Sequence, residues 1–255
     1  MKIALLVAYD GTGFRGFARQ RNTKVRTVQG VLEERLSHLL RRDVVTTGAG
    51  RTDAGVHAWG QVVSFEAPVA AEPEWVKTRL NRWLAPDVVV RAAVFAGESF
   101  DARFSARRRM YEYAVYEADV VNPFLERFAV HVSEKLDVRA MRWAARALIG
   151  EHDFASFCRS GEGSTTRRLR SVSFVRRDER LVIRVVADSF CQQMVRSIVG
   201  TLLEVGRGMR AATDIGRVLE ARERAEAAPV APAKGLRLVG VEYGTNPFRI
   251  ASPTP

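Results

Sequence analysis

Twice along this chain the apolar residues change period in the same order, from the tight spacing of a strand to the three-to-four spacing of a helix and back. Residues 2–8 are a short, nearly continuous apolar run that reads as a buried strand. Thr27 stands where a helix N-cap belongs, followed by Val28, Val31, Leu32, Leu36, Leu39 and Leu40 on one helical face. Residues 44–47 and 61–66 read as strands, 73–84 as a helix with Pro73 in its first turn, and 88–95 as a further strand. The order is β-α-β-β-α-β, the split βαβ plan. The second half repeats it with insertions: a strand at 110–116, a short extra one at 129–132 and a helix at 138–149. Strands at 172–176 and 181–187 follow, joined by a turn at 177–180, then a helix from 194 that Gly206 and Gly208 end, an added helix at 213–224 and a last strand at 236–243. The repeat predicts an α+β protein of two ferredoxin-like (βαββαβ) domains with mainly antiparallel sheets. The first domain spans 1–102, the second 103–250, and 251–255 is a frayed tail.

Composition narrows the partners. Forty Lys and Arg against 29 Asp and Glu give a net charge of +11, and only five of the forty are lysines. Guanidinium forks suit phosphate oxygens, so a polyanion is favoured, although GC-rich coding or a hot habitat also raises arginine use. The basic residues gather near loops: Arg15, Arg19, Arg21, Lys24 and Arg26, then Arg103, Arg107, Arg108 and Arg109, then Arg167, Arg168 and Arg170. The N-terminus turns polar at Tyr9-Asp10, too early for a signal peptide, and no apolar run reaches membrane-spanning length, which predicts a cytoplasmic protein with no membrane association. Cys158 and Cys191 lie far apart and outside any Cys-x-x-Cys motif, so they are expected to be buried thiols without metal or disulfide. The four histidines show no zinc spacing, and no metal is expected.

The segment 48–57, Gly-Ala-Gly-Arg-Thr-Asp-Ala-Gly-Val-His, is a glycine-flanked loop at the end of a strand, where a sheet can aim a side chain. In extended backbone Arg51 and Asp53 would point to one side, and the guanidinium would keep the carboxylate ionised. That suits a nucleophile or electrostatic stabiliser better than a general acid; the plain alternative is a surface ion pair in a turn. Gly11-x-Gly13-x-x-Gly16 follows a strand in the manner of a dinucleotide site, but the next helical face begins only at Val28 and no acidic residue ends the second strand. A loop near a polyanion fits better than a nicotinamide oxidoreductase. Tyr111 and Tyr113 follow Arg107-Arg108-Arg109 on one strand face, a pairing that serves either base stacking or sheet packing. Arg196 lies on the helix face opposite Val195, Val199 and Leu202 and would matter only if that face lined the cleft.

Taken together, Tyr9-Asp10-Gly11-Thr12, Thr27-Val28-Gln29-Gly30, Gly50-Arg51-Thr52-Asp53-Ala54-Gly55-Val56-His57-Ala58, Arg103-Phe104, Arg109-x-Tyr111-x-Tyr113, His152-Asp153-Phe154, Met194-Val195-Arg196 and Ala231-Pro232-Ala233-x-Gly235-Leu236 resemble the TruA-type tRNA pseudouridine synthases. The match runs in order from Tyr9 to about Tyr243; Phe17-Ala18 departs from the usual tryptophan-containing pair, and Cys191 from a leucine. The resemblance implies conversion of uridine to pseudouridine at positions 38, 39 and 40 of the tRNA anticodon stem-loop, by a homodimer without metal or cofactor. It implies an active-site cleft between the two domains, with Asp53 as catalytic nucleophile, Arg51 as its pair, Tyr111 stacked on the target base, Arg196 as a basic residue of the site and Leu236 as an apolar one beside the base. A non-catalytic RNA-binding module on the same paired domains is the alternative from another class.

Overall fold

The structure is a computed structural model that describes residues 1–22, 24–159 and 163–248, so the tail expected at 251–255 lies outside the described residues. Contacts divide the chain into two compact units, Met1–Arg108 with the chain from Leu238 onward, and Arg109–Arg237.

The first unit opens with β1 (Lys2–Tyr9), whose Ile3, Leu5 and Val7 are fully buried. Helix α1 (Val28–Leu40) starts where the sequence places it, because the Thr27 hydroxyl accepts the Gly30 N–H at 3.2 Å and satisfies one of the unpaired amides of the first turn. Then come β2 (Thr46–Gly48), β3 (His57–Glu66), α2 (Pro73–Leu84) and β4 (Val88–Ala96), with Pro73 opening α2 as expected. Strand order is β4-β1-β3-β2, and all three pairings are antiparallel. Strand β2 begins two residues later than its apolar run suggests, because Val45 faces solvent at 80% exposure.

In the second unit the order of elements is β5 (Ala106–Glu117, from Arg109 on), β6 (Val130–Val132), α3 (Val138–Ala145), β7 (Gly150–Asp153), β8 (Thr166–Arg177), β9 (Arg180–Ala187), α4 (Met194–Gly206) and α5 (Asp214–Ala221). The sheet runs β5-β9-β8-β7 with antiparallel pairings, and β6 adds to β5 in parallel. Two features depart from expectation. Helix α3 is shorter than 138–149: a 3-10 turn at Arg146–Leu148 tightens it, and Gly150 at φ +121° starts a strand instead. Strand β8 begins six residues before the expected 172, since its arginine-rich first half pairs with β7 at Arg168↔Glu151 and Leu169↔Gly150. Cys158 and Cys191 are joined as a disulfide, with Cα atoms 5.7 Å apart, where free thiols were expected. Sequence distance hid the pair: the β8-β9 hairpin folds back and returns the chain to its starting point.

The last strand, β10 (Leu236–Tyr243), falls in the second domain by sequence order, and from Leu238 on it packs with the first unit, next to β3. A Cβ on Gly60 of β3 would lie 2.3 Å from the Val239 carbonyl oxygen, so glycine is what admits the strand. The Tyr243 hydroxyl donates to the Ala102 carbonyl at 2.7 Å.

A buried charge cluster anchors the second unit. Glu112 on β5 is 1% exposed and accepts hydrogen bonds from Arg184 (2.5 Å) and Arg237 (2.6 Å). Burial alone would raise this carboxyl, but hydrogen bonds and charge from Arg237 and Arg184 outweigh it and hold it below the usual carboxylate range. A depressed folded value means the stabilisation is complete above the unfolded carboxyl range, near pH 4.3, and is lost as pH falls through the lower folded value. Glu112→Gln is expected to cost roughly 2 kcal/mol at pH 7, less than a fully buried pair, because the Arg184 and Arg237 side chains are 32% and 40% exposed. The loss should shrink below pH 4, which urea titrations of the two proteins at pH 3.5 and 7 would check.

Candidate active site

Asp53 sits in the loop between β2 and β3. The ladder continues one step past β2, where Ala49 N–H donates to the Val62 carbonyl at 2.8 Å; the chain then leaves the sheet. What orders it is a second loop, residues 10–17, laid main chain against main chain. Phe17 N–H donates to the Thr52 carbonyl (3.0 Å), Gly55 N–H to the Phe14 carbonyl (3.3 Å) and Gly11 N–H to Nδ1 of His57 (3.0 Å). A Cβ on Gly11 would stand 2.1 Å from the Val56 carbonyl oxygen, and Gly16 sits at φ +100° with the Thr52 carbonyl 3.0 Å from where its Cβ would be. The Phe17 ring fills the space above Gly48. The glycines of the Gly11-Gly16 motif are therefore used up by protein, and a dinucleotide finds no open phosphate cradle there.

Asp53 itself is half-buried, and its carbonyl accepts the Val56 N–H at 3.2 Å, closing the turn through Gly55 at φ +77°. Arg51 is exposed. The same-side argument needs extended backbone, and residues 51–53 are in irregular loop leading into a turn. Beneath them the Tyr9 hydroxyl lies 2.8 Å from Oγ1 of Thr52, and burial pushes the Tyr9 phenol up to about 12, against hydrogen bonds from Thr52 and Gln61, so it is a neutral hydrogen-bonding group at pH 7.

Tyr111, Arg196 and Leu236 belong to the second unit, on three different elements. Tyr111 on β5 is 8% exposed and meets Phe190 edge-on, centroids 5.2 Å apart at 90°. The segment before Phe190 is held in turn: Arg109 donates to the Asp188 carbonyl (2.9 Å), and Arg170 grips the Asp188 carboxylate with two bonds (2.7 and 2.8 Å). Arg196 is not a solvated residue on an idle face. Its Nε donates to the Ala231 carbonyl at 2.8 Å, and Ala231 N–H returns a bond to the Arg196 carbonyl at 3.2 Å. Tyr113 fixes the same loop one residue on, its hydroxyl donating to the Pro232 carbonyl at 2.9 Å and its ring lying where a side chain on Gly235 would be. Arg196, Tyr113 and Leu236, the last 5% exposed, are thus tied through residues 231–235. Tyr113 packs in the sheet as the plain reading of its strand has it; burial raises its phenol.

Several clustered arginines turn out to serve the fold. Arg26 stacks over Phe14 at 4.3 Å and pairs with Asp87, Arg19 pairs with the buried Glu33, and Arg168 with Glu151. Arg15, Arg21 and Lys24 are exposed and form no ion pair among the described residues. Among the described residues no group of three or more His, Cys, Asp or Glu is placed to hold a metal, and no helix is long and apolar enough to cross a membrane.

Asp53 thus rides on a loop braced by main chain, while in the other unit Tyr111 meets Phe190 edge-on and Arg196 is held by the loop that leads to Leu236. The family model for tRNA pseudouridine synthases matches residues 5–105 and 144–244. A tRNA pseudouridine synthase A of Corynebacterium glutamicum is 43% identical, the alignment covering 95% of this chain and 89% of that one. Those of Pseudothermotoga lettingae (42% identical, 93% and 98% covered) and Thermosipho melanesiensis (43%, 95% and 99%) are similar throughout. The chain belongs to the tRNA pseudouridine synthase family, and with it to the isomerases.

Proposed function

We propose that this chain isomerises uridine to pseudouridine in the anticodon stem-loop of tRNA, as a homodimer, with Asp53 as the nucleophile. In this reaction the C1′–N1 bond breaks, the freed uracil turns, and C1′ bonds to C5; the C5 proton leaves and N1 gains one. Electrons are neither added nor removed, so no redox group enters the proposal, and no metal or cofactor does. Asp53 supplies the negative oxygen, Tyr111 the ring on which the flipped base stacks, and Leu236 the apolar edge that keeps the freed uracil from diffusing away. Arg196 supplies charge to the nucleotide, and Arg51, exposed on the Asp53 loop, is available to a phosphate. We also read both units as elaborated ferredoxin-like modules, supported in the first by its β4-β1-β3-β2 order.

The observation that carries the reading is the bracing of the Asp53 loop: a carboxylate on a loop is an accurate reagent only when its backbone is fixed, and residues 52, 53 and 55 each give or take a main-chain bond. Incubation of the purified protein with an unmodified tRNA transcript, followed by pseudouridine mapping, tests it. Pseudouridine confined to the anticodon stem-loop is the expected result; modification elsewhere, or none, would reject the assignment.

A further inference from the structure

One buried polar group in the first unit has no part in the chemistry described so far. Gln61 lies in the middle of β3, in an otherwise apolar run, and is 0% exposed. Its amide side chain meets the main chain of Gly50 at two points: Nε2 donates to the Gly50 carbonyl at 2.7 Å, and Oε1 accepts the Gly50 N–H at 3.2 Å. That is the pairing a neighbouring strand would offer, supplied by a side chain just where β2 stops and the catalytic loop begins. Nε2 also lies 3.5 Å from the Tyr9 hydroxyl, which is 2.8 Å from Oγ1 of Thr52. Residues 50 and 52 are therefore both held from beneath by buried side chains, and Asp53 follows directly.

We infer that the Gln61–Tyr9–Thr52 network positions Asp53: Gln61 is a positioning residue for the isomerisation, acting through Gly50 and, with Tyr9, through Thr52. This rests on the reading of Asp53 as the reacting carboxylate. A solely structural amide could be satisfied anywhere in the sheet; this one spends its strongest bonds on the loop that delivers the carboxylate, three residues from it. Gln61→Met keeps the length and removes both bonds, and Tyr9→Phe removes one hydroxyl without changing volume.

The test is steady-state turnover on tRNA, with kcat normalised to sites counted by tRNA titration, well below the melting temperature. Gln61→Met is expected to lower kcat about 10- to 100-fold, the usual consequence of misplacing a reacting group by about an ångström, with KM for tRNA within about twofold of wild type. Thr52→Ser should retain wild-type kcat, Thr52→Val and Tyr9→Phe should each lower it severalfold, and the Tyr9→Phe/Thr52→Val double variant should be no worse than the poorer single one, because both remove the same bond. A control elsewhere in the first unit, Ser37→Ala, which removes the hydroxyl that accepts the Val44 N–H at the end of α1, should lose stability and keep its kcat. Wild-type kcat in Gln61→Met, or additive losses in the double variant, would overturn the positioning role while Asp53→Asn remains inactive. Full turnover by Asp53→Asn would instead overturn the reading of Asp53 on which this rests. Should Gln61→Met fail to fold, Tyr9→Phe decides alone: unchanged kcat refutes the network.

Discussion

Replacing Asp53 by asparagine is expected to abolish pseudouridine formation, lowering kcat by more than about a thousand-fold while leaving tRNA affinity near wild type. The two side chains have the same size, and the main-chain bonds at Thr52, Asp53 and Gly55 and the Gln61 and Tyr9 contacts beneath the loop do not involve the group that changes. What disappears is the negative oxygen; a carboxamide is a poor nucleophile and a poor partner for a developing positive sugar. Release of tritium from C5-labelled uridine in tRNA measures the loss, and filter binding measures retained affinity. Turnover within tenfold of wild type would remove Asp53 from the mechanism.

The second large effect is expected at a residue with no side chain. Gly11→Ala would place its methyl group 2.1 Å from the Val56 carbonyl oxygen and 2.5 Å from the carbonyl carbon, distances that only backbone displacement can relieve. Overpacking of this kind costs about 1–3 kcal/mol and sometimes more. Because Val56 closes the turn that contains Asp53, activity should fall further than stability does, at least about tenfold at a temperature where the variant is still folded. Gly216→Ala on α5, with nothing within 4 Å of its new methyl, should instead stabilise by about 0.5–1 kcal/mol and keep full activity. Thermal melts read beside turnover for the two variants check both halves of the expectation.

Much of this arrangement is legible in the sequence because it is local. Thr27 capping α1, Pro73 opening α2 and the alternation along β5 and β9 are each decided within a few residues, and the element order follows. Where charge is spread along a strand, the apolar period fades: the first half of β8, with Arg167, Arg168 and Arg170, reads as loop although β7 and β9 pair with it on either side. Contacts between distant segments were the other loss. Nothing near Cys158 announces Cys191. The Gly11-Gly16 loop could be stripped of its nucleotide reading, but its purpose needs Val56 and Thr52, some forty residues on. Arg51 and Asp53 are misleading in the opposite sense: close in sequence, they suggest extended backbone, and residues 51–53 are irregular loop. Gln61 carried a usable signal, a lone amide inside an apolar strand, since such a group is buried only where something needs both its donor and its acceptor.

The contact between residues 10–17 and the Asp53 loop is made largely of peptide groups, so it dictates glycine at positions 11 and 16, with the buried rings of Phe14 and Phe17 packed around it, while Thr12 and Arg15 look outward to solvent. Those two outward side chains carry no packing, so a lineage can rewrite what they meet without disturbing the carboxylate behind them.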